Sequence, residues 1–130
     1  DDEGIVDWIR NLKGLGSTAR LRNVVQEVLK QAYKLDQAGL DHGELSNLKK
    51  HVFAGEKVTI IDFETASKNR RVSNVTSAVQ NIFIGGPQAR KVRRLLRLNE
   101  IQPIIDSVRK YKAERNMKLF EVLLKDLKLV

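Results

Sequence analysis

Residues 41–67 read DHGELSNLKKHVFAGEKVTIIDFETAS. The polar run His42-Gly43-Glu44-Leu45-Ser46 leads into a short strand expected over 50–53, a turn at Ala54-Gly55-Glu56-Lys57, and a return strand over 58–61 that ends on Asp62-Phe63-Glu64. A strand rises about 3.3 Å per residue and a hairpin folds back on itself. Glu44, which enters the first strand, and Asp62, which leaves the second, are therefore expected to face one site. The return strand Val58-Thr59-Ile60-Ile61 reads as apolar on both faces, so cover on both sides is expected. An acid at the end of such a strand has to be functional or paired, because an isolated ionised carboxylate is costly to bury.

The stretch resembles the catalytic loop and metal-binding segment of protein-kinase-like phosphotransferases, where H-x-D-L-x-x-x-N is followed by a short hairpin and D-F-G. His42, Glu44 and Leu45 match the first motif, Asp62 and Phe63 match the second, and the two acids stand 18 residues apart. The pattern is most similar to the small atypical kinases, the RIO-type and archaeal Ser/Thr kinases, and extends from residue 4 to about residue 84. The resemblance implies a mainly α fold with one short β-hairpin: a kinase-like C-terminal lobe, with the N-terminal lobe absent from this chain. Residues 1–130 would be a single domain, the C-terminal part of a longer chain, because the first residue is Asp1 and no Gly-rich strand pair or strand Lys precedes the motifs.

The implied activity is magnesium-dependent transfer of the ATP γ-phosphate to a Ser or Thr of a protein substrate, with little or none from these residues alone. Asp62 would hold magnesium, and Glu44 would orient or deprotonate the acceptor hydroxyl. His42 either braces the loop through hydrogen bonds or acts as a general base itself. Three positions depart from the family pattern. Glu44 stands where the family has Asp, moving the carboxylate by about 1.5 Å. Lys49 occupies the place of the metal-binding Asn, seven residues after His42, which leaves Asn47 as the nearest neutral substitute. Glu64 replaces the Gly of D-F-G and adds a third carboxylate. Asn47, Lys49 and Glu64 are thus the candidates on the cofactor side, and an active enzyme needs a rearranged metal shell. The same departures suit a pseudokinase scaffold.

Outside this stretch the chain reads as helical. Acids ahead of Ile5-Val6-Asp7-Trp8-Ile9 suit a helix N-terminus, with Trp8 as a packing anchor. Lys13-Gly14-Leu15-Gly16-Ser17 lacks the third Gly and the Lys-Ser/Thr of a phosphate loop. It reads instead as a C-cap at Gly14 and an N-cap at Ser17. Over 18–38, Leu21, Val24, Val25, Val28, Leu29, Ala32 and Leu35 form one helical stripe that Gly39 ends, directly before His42. Asn74 is expected to cap a helix carrying Val75, Ala78, Val79, Ile82 and Phe83, stopped at Gly85-Gly86-Pro87 with Pro87 in the first turn of the next. Helices over about 99–115 and 117–129 complete roughly six helices and one hairpin.

With Cys absent, disulfides and thiolate metal sites are excluded. Aromatics make up only 5%, so an aliphatic core is expected. No apolar run is long enough to span a bilayer, and no signal peptide is evident, so a soluble, cytoplasmic protein without membrane contact is expected. A formal net charge of +8 attracts anions. The densest basic cluster is 88–97, where Val92, Leu95 and Leu96 mark a buried face and Arg90, Lys91, Arg93, Arg94 and Arg97 are left in water. That face is either solvated surface or a contact for RNA or an acidic protein, which makes a noncatalytic helical binding module a further alternative. Lys68, Arg70 and Arg71, in a short activation-like segment, are likewise a solvated loop or a phosphate contact.

Overall fold

A computed structural model describes residues 3–48, 52–54, 57–61 and 63–130. It is mainly helical with a small antiparallel sheet. The elements run β1 (Glu3–Gly4), α1 (Ile5–Asn11), α2 (Ser17–Gln37), β2 (Val52–Ala54), β3 (Val58–Ile60), α3 (Asn74–Val79), which continues as a π-helical turn over Gln80–Gly85, α4 (Ala89–Leu95), α5 (Gln102–Glu114) and α6 (Met117–Asp126).

The sheet order is β1-β2-β3. Val52 pairs with Ile60, Phe53 with Thr59 and Ala54 with Val58, so the expected hairpin is present. The third strand was not expected. Glu3 pairs with Ala54 and Gly4 with Phe53, immediately before α1 begins. Two residues carry no alternation, so only the tertiary pairing reveals them as a strand. The expected cover on both faces of β3 does not hold. Val58 and Ile60 are half-buried, Thr59 is exposed, and Ile61 is 40% exposed. α1 packs against β1 and β2, and α2 against β3.

α2 is the central rod. Leu21, Val25, Val28, Leu29 and Ala32 are all fully buried, which confirms the helical stripe; each large one contributes about 1.5–3 kcal/mol by leaving water. The helix ends in a Schellman motif: Gly39, at φ +73, donates its N–H to Asp36 O, and Leu40 N–H reaches Leu35 O at 3.0 Å. The start differs from expectation. Gly16, at φ +80, is the N-cap, and Ser17 is the first helical residue, its hydroxyl donating backward to Gly14 O at 2.8 Å. Gly14 belongs to the linker, because α1 already stops at Asn11 with Leu12 as its C-cap. Trp8 packs half-buried on the core.

α5 and α6 follow the expected boundaries closely, with Pro103 in the first turn of α5. Asn116 caps α6 by accepting Leu119 N–H at 2.8 Å. Pro87 falls before the N-cap Gln88 rather than within α4. The core is not purely aliphatic: Tyr33 stacks on Phe120 with centroids 4.5 Å apart, and Tyr111 tilts against both. Among the described residues no helix is long and apolar enough to cross a membrane.

Candidate functional site

The loop that follows α2 is held from beneath by a buried polar cluster. Asp36, two residues before the C-cap of α2, accepts both the backbone N–H and the side-chain Nδ2–H of Asn74 through Oδ1, at 3.0 and 2.9 Å. Its Oδ2 accepts the Tyr111 hydroxyl at 2.6 Å. Burial, followed by this hydrogen bond to Asp36, pushes the Tyr111 phenol far above its ordinary range. Asn74 also donates to Leu40 O at 2.7 Å and accepts His42 N–H at 2.8 Å. Asn74 is therefore not the N-cap of α3, a place taken by Ser73. Its amide is turned inward, where it joins the end of α2 to the entry of the loop.

A second set of bonds fixes the loop's outer edge. Asp41 and Ser67 exchange backbone hydrogen bonds, both 2.9 Å, as an isolated antiparallel bridge. The Asp41 carboxylate, nearly buried, takes Arg70 Nε–H at 3.0 Å and the Ser73 N–H and hydroxyl at 3.1 and 3.2 Å. Arg70 further donates to Thr65 O. Of the three basic residues in 65–73, Arg70 is thereby a structural clasp, while Lys68 and Arg71 stay exposed.

His42 is 0% exposed. Its Nδ1 accepts Glu44 N–H at 3.2 Å, which places the proton on Nε2, and Nε2 lies 2.9 Å from Ile61 O. Phe63 meets the ring edge-on at 4.8 Å. Of the two roles open to His42, this geometry is the bracing one, tying the loop to the end of β3. Glu44 is half-buried, and its Oε2 accepts the Thr65 hydroxyl at 3.1 Å, a hydroxyl also 3.3 Å from His42 O. Asn47 is exposed, with its backbone N–H closing a turn onto Glu44 O. Glu64 is exposed in the turn 63–66. Asp62 and Lys49 lie outside the described residues, and with them the expected convergence of Glu44 and Asp62. Among the described residues no three His, Asp or Glu side chains form a metal-binding group.

Gly43, at φ +94, is required where it stands. A Cβ there would lie 2.5 Å from the Arg70 guanidinium and 3.0 Å from Thr65 Oγ1. Gly43→Ala is expected to destabilise the protein by about 1–3 kcal/mol, from the positive φ and the displaced clasp together. Denaturant unfolding checks this, and an unchanged midpoint would show that the loop relaxes freely.

Comparison with curated proteins finds the uncharacterized protein MJ1211 of Methanocaldococcus jannaschii, 34% identical over 95 residues that make up 72% of this chain and 82% of that one. The chain belongs to the same family. No family model matches it.

The basic helix is arranged differently from the expectation. Lys91 and Arg93 are not left in water: Lys91 Nζ donates to Arg10 O at 2.9 Å and Leu12 O at 2.5 Å, and Arg93 donates to Phe83 O at 2.5 Å. These cations neutralise the carbonyl ends of α1 and of the π-helical turn. Burial, then the nearby Arg94 and Lys13 charges, hold the Lys91 ammonium below the usual lysine range. Arg90, Arg94 and Arg97 remain exposed. Two open pockets, of about 440 Å³ beside Lys13 and Arg94 and about 390 Å³ beside Tyr33 and Met117, are not lined by any residue of the loop.

What sequence reasoning missed is the support. Asp36 interrupts no stripe and matches no motif; the one available signal was an acid in the last turn of a helix, where the dipole disfavours it.

Proposed function

We propose that the chain is the C-terminal lobe of a protein-kinase-like Ser/Thr phosphotransferase that moves the γ-phosphoryl group of ATP to a protein hydroxyl. The observation that carries the reading is the Glu44 carboxylate, held with an aliphatic hydroxyl hydrogen-bonded at 3.1 Å. That is the geometry a general base needs toward an alcohol acceptor. The support beneath it fits such a role, since phosphoryl transfer depends mostly on positioning and charge. His42 couples the Glu44 loop to the end of β3, the strand end that leads into Asp62. In this reading Asp62 is the magnesium ligand on the strength of the sequence resemblance, and Asn47 and Glu64 stand on the exposed rim.

The alternative of a polyanion-binding helix is weakened by Lys91 and Arg93, which are half-buried and donate to backbone carbonyls. The kinase reading is tested by incubating the full-length protein with magnesium and labelled ATP and following label into Ser and Thr of casein. Asp62→Ala is expected to abolish transfer while the circular dichroism spectrum stays unchanged. Full activity in that variant would remove Asp62 from the metal site, and no transfer by the wild type would remove the reading.

A further inference from the structure

We propose that the open pocket between residues 12–18 and α4 binds a small phosphate monoester, its phosphate held by the side chains of Lys13, Lys91 and Arg94. The pocket is about 440 Å³, a size ordinary for small-ligand sites. It shares no residue with the Glu44 loop, so the inference stands apart from the phosphotransferase reading. Lys13 and Arg94 are exposed, Lys91 is half-buried, and among the described residues no Asp or Glu lines the pocket.

Three cations share one concavity, and they repel one another. Burial is the first cause that lowers the Lys91 ammonium, and the charges of Arg94 and Lys13 are the next. Among the described residues no carboxylate offsets this charge, and the side chains of Lys13 and Arg94 have no ion-pair or hydrogen-bond partner. An anion placed among the three removes the repulsion, and a concave site lined by one sign of charge focuses the field that draws it in.

The carbonyl groups along this wall already have donors. Lys91 Nζ bonds Leu12 O at 2.5 Å, Arg20 bonds Lys13 O and Leu15 O at 3.2 and 3.1 Å, and the Ser17 hydroxyl bonds Gly14 O at 2.8 Å. What is left for a ligand is donors: the guanidinium of Arg94, the ammonium of Lys13, and the N–H of Lys91 beyond its two carbonyl bonds. Recognition is thus by side chains, since residues 13–17 lack the third Gly and the Lys-Ser/Thr of a backbone phosphate loop. A phosphate monoester, with nearly two charges and three acceptor oxygens, suits such a set, and a guanidinium fork spans two of those oxygens. The organic part is implied by the apolar lining. Leu12 and Leu95 line the pocket, and Leu15 beside them is 99% exposed, apolar area that a ligand ring would take out of water.

The experiment titrates the full-length protein, without magnesium or nucleotide, with phenyl phosphate, inorganic phosphate and phenol, following binding heat and backbone amide NMR shifts. Phenyl phosphate is expected to bind more tightly than inorganic phosphate, and phenol not at all, with shifts confined to residues 12–18 and 91–95. Arg94→Ala is expected to weaken phenyl phosphate about 10–100-fold, the range for a hydrogen bond to a charged group, with the unfolding midpoint unchanged. Leu15→Ser is expected to weaken phenyl phosphate and leave inorganic phosphate as it was. No binding by the wild type, or an affinity unaltered in Arg94→Ala, would overturn the inference. So would shifts centred on the Glu44 loop, or equal affinity for inorganic phosphate. An RNA oligomer that displaces phenyl phosphate with an affinity rising for each added nucleotide would also overturn it, in favour of a polyanion surface.

Discussion

Asp36→Ala is expected to cost about 3–5 kcal/mol of folding stability and to lower the melting temperature by roughly 10–20 °C. The change leaves three donors, the Asn74 N–H, one Asn74 amide hydrogen and the Tyr111 hydroxyl, without their acceptor in the interior. Each unsatisfied buried donor costs about 1–3 kcal/mol. Asp36→Asn is the control. Its carbonyl oxygen still receives Asn74 and its amide can donate to the Tyr111 oxygen, so the expected loss is only about 1–2 kcal/mol. Thermal and urea unfolding distinguish the two variants, and equal losses would mean that packing rather than hydrogen bonding sets the cost. The same variants carry a functional consequence. Asn74 holds His42 N–H, so damage to the cluster releases the loop that presents Glu44.

On the proposed phosphotransferase reading, Glu44→Gln is expected to lower kcat for phosphate transfer by about 10²–10⁴-fold, the range for loss of a general base, with little change in the KM for ATP. Gln retains an oxygen that can accept the Thr65 hydroxyl and is nearly isosteric, so the loop stays folded and the loss reads chemistry rather than structure. Glu44→Asp is the sharper comparison. It restores the residue usual in kinases but withdraws the carboxylate by about 1.5 Å, further than the 3.1 Å bond to Thr65 tolerates. If the backbone here has adapted to the longer acid, Asp loses activity too; if the longer acid is a handicap, Asp gains it. A Glu44→Gln enzyme with unaltered kcat would exclude Glu44 as the base.

The local elements were legible because their signals are local. α2 showed itself by the spacing of Leu21, Val25, Val28, Leu29 and Ala32, its end by Gly39, and the hairpin by two short apolar runs around a polar turn. Helix periodicity and turn chemistry are written into consecutive residues and need no partner to be read. The polar run His42-Gly43-Glu44 likewise marks a loop by composition alone.

The distant pairings were decided by the tertiary structure alone. β1 exists only because Glu3 and Gly4 meet Ala54 and Phe53, some 50 residues away. Asn74 looked like a helix cap because Asn is a frequent one, yet Asp36 and Leu40, more than 30 residues distant, draw its side chain inward. Lys91 and Arg93 looked solvated because a charge run says nothing of the carbonyl groups that folding brings to it. A buried polar group takes whichever partner satisfies it at the lowest desolvation cost. That partner is set by packing, so the residues that hold the Glu44 loop in place became visible only once the helices had been brought together.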